Sequence, residues 1–169
     1  MAEKKQDAIA LLKEDHRKVE DLFEKFEQAS GDGRKEKLAR EICRELIVHA
    51  KIEEEIFYPA CAGKIEAELL KEAYVEHDAA KLLIAEIDAG EPSDEFYDSK
   101  VKVLKEEIEH HVEEEEKRME GMFSQARKAG LDMDSLGEEL ASRKAELMKE
   151  TESGDLPKPE LSTMDEASA

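Results

Sequence analysis

The sequence predicts an all-α fold: an antiparallel up-down-up-down four-helix bundle, then an extra short C-terminal helix and a disordered tail. Charged residues make up 42% of the chain and hydrophobic residues 40%, while aromatic residues are only 5%, a composition typical of long amphipathic helices. Apolar residues recur at alternating steps of three and four, the period of one helix face. Short turns separate four such segments, which makes consecutive helices antiparallel.

The first two predicted helices span 7–29 and 34–58. Gly31 and Gly33 follow the first helix and can adopt the left-handed conformation that ends helices. Pro59 disfavours continuation of the second helix. Each apolar stripe includes polar residues where leucine or isoleucine is expected: Ile9, Leu12, His16, Val19, Phe23 and Phe26 in the first helix, and Leu38, Ile42, Leu46, His49, Glu53 and Ile56 in the second.

The third and fourth predicted helices span 65–89 and 95–129. Ser93 or Asp94 is expected to cap the start of the fourth helix, and Gly130 ends it. Their stripes also carry polar residues: Leu70, Ala73, His77, Ala80, Ile84 and Ile87 in the third helix, and Tyr97, Val101, Leu104, Ile108, His111, Glu115, Met119, Met122 and Ala126 in the fourth.

The chain divides into a bundle over 1–130, an accessory helix over 131–150 and a tail over 151–169. The accessory helix is amphipathic, and we expect it to pack on the outside of the bundle or to cap one end. The tail holds two prolines and no periodic pattern, so it is predicted to be disordered.

The net charge of −19 excludes several partners. Such a surface repels nucleic-acid phosphates and anionic lipid headgroups, so neither nucleic acid nor membrane is an expected partner. The sequence contains no apolar run of membrane-spanning length and no recognisable leader, which favours a cytoplasmic location. Cys43 and Cys61 are interpreted as reduced thiols, with a disulfide or a redox role as the alternative.

Two His-x-x-x-Glu pairs, His49/Glu53 and His111/Glu115, lie on the predicted core stripes. Residues four apart share one helix face, so each pair presents an imidazole and a carboxylate together. Two further histidines, His16 and His77, also replace core residues on their stripes.

Buried carboxylates need a positive partner, and these stripes contain no lysine or arginine near them. Four imidazoles and two carboxylates suit iron, manganese or zinc, and side chains from facing helices build dinuclear sites in bundle cores. The alternative is hydrogen-bonded core histidines and ordinary surface His–Glu pairs. A register error of one residue would instead select His110 and Glu114.

These residues give the chain a resemblance to the hemerythrin-like (HHE cation-binding) family over about 9–129. The family pattern is matched, in order, by His16, His49/Glu53, His77 and His111/Glu115. The surrounding sequence is also similar, in Asp15-His16-Arg17-Lys18-Val19, in Glu54 through Pro59, and in Glu76-His77-Asp78.

The resemblance implies two iron ions, bridged by both glutamates and by an oxo or hydroxo group, although manganese accepts the same ligands. It also implies a small diatomic or peroxide partner: the protein would bind or sense dioxygen, peroxide or nitric oxide. Catalase-like peroxide decomposition would make it an enzyme, and the sequence leaves that open. The alternatives are iron storage, sensing or delivery, and a metal-free helical interaction module.

The chain departs from the oxygen-carrying members of the family at one position. Those members have a further histidine one turn before the ligand on the third helix, at the position where this chain has Ala73. Water or a tyrosine phenolate from Tyr58 or Tyr74 would fill the gap. Tyr58 lies five residues after Glu53, off the ideal stripe, but Pro59 permits a local distortion. The alternative role of both tyrosines is packing, with the hydroxyl at the rim.

Overall fold

The computed structural model describes residues 6–164, and this part of the chain is all helical, without a strand. The all-α prediction is therefore confirmed. The elements are α1 (Ala8–Gln28), α2 (Asp32–Ile52), a π-helical turn (Glu53–Phe57), α3 (Tyr58–Cys61), α4 (Ala67–Ala89), α5 (Tyr97–Glu116), α6 (Met122–Lys128) and α7 (Met133–Glu150).

Four long helices form the predicted bundle: α1 packs on α2, α2 on α4, α4 on α5, and α5 on α1. Local sequence fixes where they begin. The Asp7 carboxylate accepts a hydrogen bond from the Ala10 amide at 2.8 Å, which satisfies a free donor at the start of α1. Gly31, with φ of 90°, makes the turn into α2 in a conformation that favours glycine.

The apolar core forms two clusters. On α1 and α4, a histidine separates the residues of one cluster from those of the other. On α2, His49 lies next to this boundary, just after Val48 of the first cluster, and on α5 the histidine follows the residues of the second cluster. The first cluster includes Leu12, Ile52, Phe57 and Leu140. The second includes Phe23, Ile42, Ile84 and Leu104. A layer of polar side chains therefore lies across the middle of an otherwise apolar interior.

The second predicted helix does not end before Pro59. It passes through the π-helical turn and continues to Cys61. The Tyr58 amide donates to the Glu53 carbonyl, five residues earlier. Pro59 has no N–H, and in a regular helix its ring meets the carbonyl four residues before it. The wider turn accommodates the proline and rotates Tyr58 onto the inner face, where its side chain is buried.

The prediction of one continuous fourth helix is wrong. The helix ends at Glu116, Lys117 adopts an extended ψ of 128°, and α6 begins at Met122. A Cβ at Gly121 would lie 2.5 Å from the Lys117 carbonyl oxygen, so this tight turn requires glycine. Met119, expected on the core stripe, is 71% exposed as a result.

The start of the fourth helix also differs from the prediction. It begins at Tyr97, after Phe96, and neither Ser93 nor Asp94 caps it. The Asp94 carboxylate instead accepts a hydrogen bond from the Glu91 amide at 2.8 Å and so stabilises the preceding turn.

The accessory helix α7 packs outside the bundle against α1, α2 and the π-helical turn, one of its two predicted positions. Asp132 caps it by accepting a hydrogen bond from the Ser135 amide at 3.0 Å. A Cβ at Gly137 would lie 2.9 Å from the Ala8 nitrogen, so glycine permits α7 to approach the start of α1 closely.

The tail was predicted to be disordered over 151–169, and residues 165–169 lie outside the described residues. The prediction is wrong for the preceding part, which folds back onto the bundle. Three consecutive amides, from Ser162 to Met164, donate to the Asp78 carboxylate of α4. Composition did not reveal this contact because its acceptor lies 84 or more residues earlier.

Cys43 and Cys61 are buried and not joined by a disulfide. Burial raises the pKa of each thiol to about 12, so both remain protonated and packed as small apolar groups. Across residues 6–164, no helix combines the length and the apolar character needed to cross a lipid bilayer.

Candidate metal centre

Four buried histidines, one on each bundle helix, direct their Nε2 atoms towards a common interior point. They approach in two pairs. His16 Nε2 lies 3.2 Å from His49 Nε2, and His77 Nε2 lies 3.2 Å from His111 Nε2. All four were candidate ligands from the sequence.

The two buried glutamates connect these pairs. Glu53 Oε1 lies 3.1 Å from His49 Nε2 and 3.2 Å from His77 Nε2. Glu115 Oε1 lies 3.3 Å from His16 Nε2 and 3.2 Å from His111 Nε2. Each carboxylate therefore contacts one histidine of each pair, which is the arrangement that two bridged cations require.

The donor atoms lie in two compact groups that share Glu53. One group consists of His16, His49, Glu53 and Glu115, and the other of Glu53, His77 and His111. Within each group the candidate atoms lie within 4.8 Å of one another.

The carboxylate oxygens are unsatisfied in a way that a cation would correct. Both oxygens of Glu53 and Oε1 of Glu115 are buried and accept no hydrogen bond from the described residues. Burying an unpaired carboxylate costs several kcal/mol or more. The donors are nitrogen and carboxylate oxygen, a set suited to iron, manganese or zinc. The residues present therefore fit a metal pair.

Each histidine is oriented by a carboxylate from the adjacent helix. The Nδ1 contacts are His16 to Glu116 Oε2 at 2.7 Å, His49 to Asp15 Oδ2 at 2.8 Å, His77 to Glu54 Oε2 at 3.1 Å, and His111 to Glu76 Oε1 at 3.0 Å. An Nδ1–H that donates to a carboxylate leaves the Nε2 lone pair directed inward, the tautomer that binds metals.

Sequence reasoning missed these four acidic residues because the chain is rich in glutamate. A usable signal was present: Asp15, Glu54, Glu76 and Glu116 are each adjacent in sequence to a predicted ligand. Each one reaches across to the next helix around the bundle. Asp15 of α1 holds the α2 histidine, and Glu116 of α5 returns to that of α1.

Without a cation, the carboxylates hold protons on the imidazoles. Burial alone lowers the pKa of His49, but the carboxylates of Glu53 and Asp15 outweigh burial and raise this pKa to about 10. Similarly, Glu115 and Glu76 hold the pKa of His111 well above its usual value against the effect of burial. Metal ions and protons therefore compete for the same nitrogens.

Tyr58 joins the cluster because of the π-helical turn. Its hydroxyl oxygen lies 3.1 Å from His77 Nε2 and 3.2 Å from His111 Nε2, and it donates to Glu115 Oε2 at 3.2 Å. Burial and the charges of Glu115 and Glu53 raise the pKa of this phenol well above its usual value. Bound cations would act in the opposite direction.

The other candidates lie further from the centre. Tyr74 contacts the ring of Tyr58 edge-on, with centroids 5.2 Å apart, and is only half-buried. The side chain of His110 is 65% exposed, with Nε2 3.5 Å from Glu76 Oε2. This places His110 outside the ligand cluster and excludes the alternative register with Glu114.

A small cavity of about 30 Å³ adjoins the four imidazoles. Apart from the histidines and Asp15, its lining is aliphatic: Val19, Leu46, Ala80, Ile84, Ile108 and Val112. The volume accommodates about one water-sized molecule, and the lining offers no polar group of its own beyond the centre.

Comparison with known proteins agrees with this geometry. The family profile described as hemerythrin HHE cation binding domain matches residues 7–123, which contain all six candidate ligands and Tyr58. The structure is similar to a hemerythrin HHE cation-binding domain-containing protein from Mycobacterium kansasii, with a TM-score of 0.74 and 24% identity. That match covers 88% of this chain and 91% of the other, and it shows a shared fold.

The chain is also 29% identical over 106 residues to a DNA nickase from Nostoc sp. (strain PCC 7120 / SAG 25.82 / UTEX 2576). The match covers 63% of this chain but only 30% of that protein. The nickase is therefore mostly sequence without a counterpart here.

Proposed function

Because the chain belongs to the hemerythrin HHE cation-binding family, we propose that its central cluster holds two iron ions and binds a small oxygen-derived ligand. The observation that carries this proposal is the set of buried carboxylate oxygens without a hydrogen-bond donor, surrounded by four Nε2 atoms. A pair of cations would satisfy both the carboxylate oxygens and the imidazole lone pairs at once, in place of the protons that the imidazoles hold without metal.

The pairing of the side chains gives each residue a role. His16 and His49 would hold one ion, and His77 and His111 the other. Glu53 and Glu115 would bridge them, since each contacts one histidine of each pair. Iron held there would supply reversible one- and two-electron chemistry to dioxygen, peroxide or nitric oxide.

Tyr58 is proposed as a further ligand, on the side of His77 and His111. Its oxygen already lies among their Nε2 atoms, and the structure offers no histidine at Ala73 to take that place. A phenolate favours ferric iron, because a hard anionic oxygen stabilises the higher charge. This ligand would disfavour simple reversible oxygen carriage and would favour sensing or peroxide decomposition.

The size of the cavity beside the imidazoles supports a small partner. This aliphatic cavity has a volume of about 30 Å³, which suits a diatomic molecule or peroxide better than an organic substrate. Its aliphatic walls keep bulk water away and strengthen local electrostatic interactions.

Metal analysis with an optical titration tests the proposal. Protein reconstituted with iron(II) without oxygen should retain about two irons per chain and develop a visible charge-transfer band on exposure to air. Gas evolution from added peroxide would assign catalytic decomposition, and a reversible band would assign binding or sensing. Failure to retain iron after reconstitution would refute the proposal.

The same iron-loaded protein distinguishes iron storage or delivery from the binding of a small oxygen-derived ligand. A centre that gives up its iron rapidly to a chelator, with no band on exposure to air, would support iron delivery. A centre that retains iron against the chelator would support ligand chemistry.

A further inference from the structure

Residues 156–164, which we call the strap, follow α7 and lie against α2 and α4. The strap is outside the stretch matched by the family profile. Its attachment is mostly polar and is concentrated on three side chains of the bundle: Glu54, Asp78 and Lys81.

Asp78 is the main anchor of the strap. Its carboxylate is fully buried and accepts hydrogen bonds from the Ser162 amide at 2.9 Å and from the Thr163 amide and hydroxyl, both at 2.6 Å. The Met164 amide donates at 3.2 Å. The strap therefore satisfies a buried carboxylate that immediately follows the candidate ligand His77.

A second set of contacts connects the strap to the metal centre. The Ser162 hydroxyl donates to Glu54 Oε1 at 2.7 Å. Lys81 donates to the same oxygen at 2.9 Å and to the Glu160 carbonyl at 2.7 Å. The other oxygen of Glu54 contacts His77 Nδ1 at 3.1 Å. Strap, Glu54 and His77 thus form one continuous hydrogen-bonded chain.

The strap is held less firmly than the helices beneath it. Its larger apolar residues, Leu156, Pro159 and Leu161, are only half-buried. A cavity of about 270 Å³ that is partly open to solvent lies between the strap and bundle side chains that include Ile47, Lys51 and Lys81. Segments with few apolar contacts open at lower free energy than the core, so the strap can detach while the bundle stays folded.

On the side of His16 and His49, the carboxylates that orient the histidines are held by residues outside the strap. On that side Asp15, which holds His49, is contacted by Lys144 of α7, and Glu116, which holds His16, is contacted by Arg17. Neither contact involves the strap. Detachment of the strap would therefore affect one half of the centre only.

We propose that Ser162 and Lys81 are positioning residues that hold Glu54, and through it His77, so that the strap controls metal release from the His77 and His111 side. This inference rests on the proposed function, since it requires a loaded centre. Loss of a group that orients a metal-bound histidine typically lowers metal affinity about 10- to 100-fold.

The test compares full-length chains loaded with iron(II) under anaerobic conditions and mixed with an iron(II) chelator that forms a coloured complex. In the double variant Ser162→Ala/Thr163→Ala, half of the bound iron should leave about tenfold faster than in the natural chain. The other half should leave at the unaltered rate. Ser162→Thr in the natural chain keeps the hydroxyl and should release its iron slowly. Ser93→Ala, on an exposed turn, is the matched control and should also release its iron slowly.

Asp78→Asn tests the attachment of the strap from the bundle side. In this variant too, half of the bound iron should leave faster than in the natural chain. If this variant does not fold, the double variant alone decides, because its changes are on exposed residues. Unaltered release from the double variant, or equal acceleration of all the iron, would overturn the inference. A natural chain that retains no iron would instead refute the proposed function.

Discussion

Replacing Glu53 by glutamine tests the centre most directly, because the change preserves volume while removing the charge of a proposed bridge. The side chain is fully buried and contacts a histidine of each pair. In the metal-free protein, glutamine occupies the same space, so the variant should still fold, and each protein is compared with its own metal-free form. In the loaded protein, both ions lose an anionic ligand.

The magnitude follows from linkage. Metal at about 1,000 times its Kd stabilises the folded state by about 4 kcal/mol. A loss of about 100-fold in affinity removes about 2.7 kcal/mol of this. For a chain of 169 residues, about 1 kcal/mol corresponds to about 2–4 °C. The metal-induced rise in melting temperature should therefore shrink by about 5–11 °C.

The assay is differential scanning calorimetry of each protein with and without iron(II), paired with metal analysis. Glu113→Gln is the matched control, since Glu113 is exposed on α5 near the centre and should leave the metal-induced rise unaltered. A Glu53→Gln variant that keeps two irons and the full rise in melting temperature would show that Glu53 is not a ligand.

Three further outcomes are expected. Tyr58→Phe should keep the metal content and lose a visible band of the ferric protein, because it removes only a phenol oxygen 3.1 Å from His77 Nε2; an unaltered spectrum would argue for a packing role. The pKa of His49 is raised to about 10 from 6.5, so its contribution to metal-free stability is present below about pH 6.5 and lost as pH rises through 10. Denaturant melts between these values should show that decline, and a flat profile would contradict it. Gly121→Ala should destabilise the fold by about 1–3 kcal/mol in urea melts, since the added Cβ meets the Lys117 carbonyl oxygen at 2.5 Å; unaltered stability would show that the turn can relax.

Apolar residues spaced alternately by three and four positions predicted the bundle helices. The same spacing placed all six candidate ligands on the inner faces of these helices. They could not predict the break after Glu116, because the residues of α6 continue the same period although the backbone turns at Gly121. Helical period reports which face is apolar and not whether each intervening residue is helical.

The four carboxylates that contact the histidine Nδ1 atoms, which we call the outer carboxylates, were not predicted, and neither was the strap. The reason differs from that for the helix break. Asp15 and Glu116 look like ordinary solvated acids in a chain with 45 acidic residues. Their role depends on which helix lies next to their own, and this is a property of the assembled bundle. The position of Tyr58 was anticipated only as a distortion near Pro59, since sequence period assumes a uniform helical turn and a π-helical turn breaks that assumption.

The circular order of the outer carboxylates has a consequence for folding. Each helix orients the imidazole of its neighbour, and the fourth returns to the first. A partly folded chain with two or three docked helices therefore lacks a fully oriented set of ligands. Strong capture of cations would follow docking of the last helix, so added metal would retard unfolding and leave the refolding rate nearly unaltered.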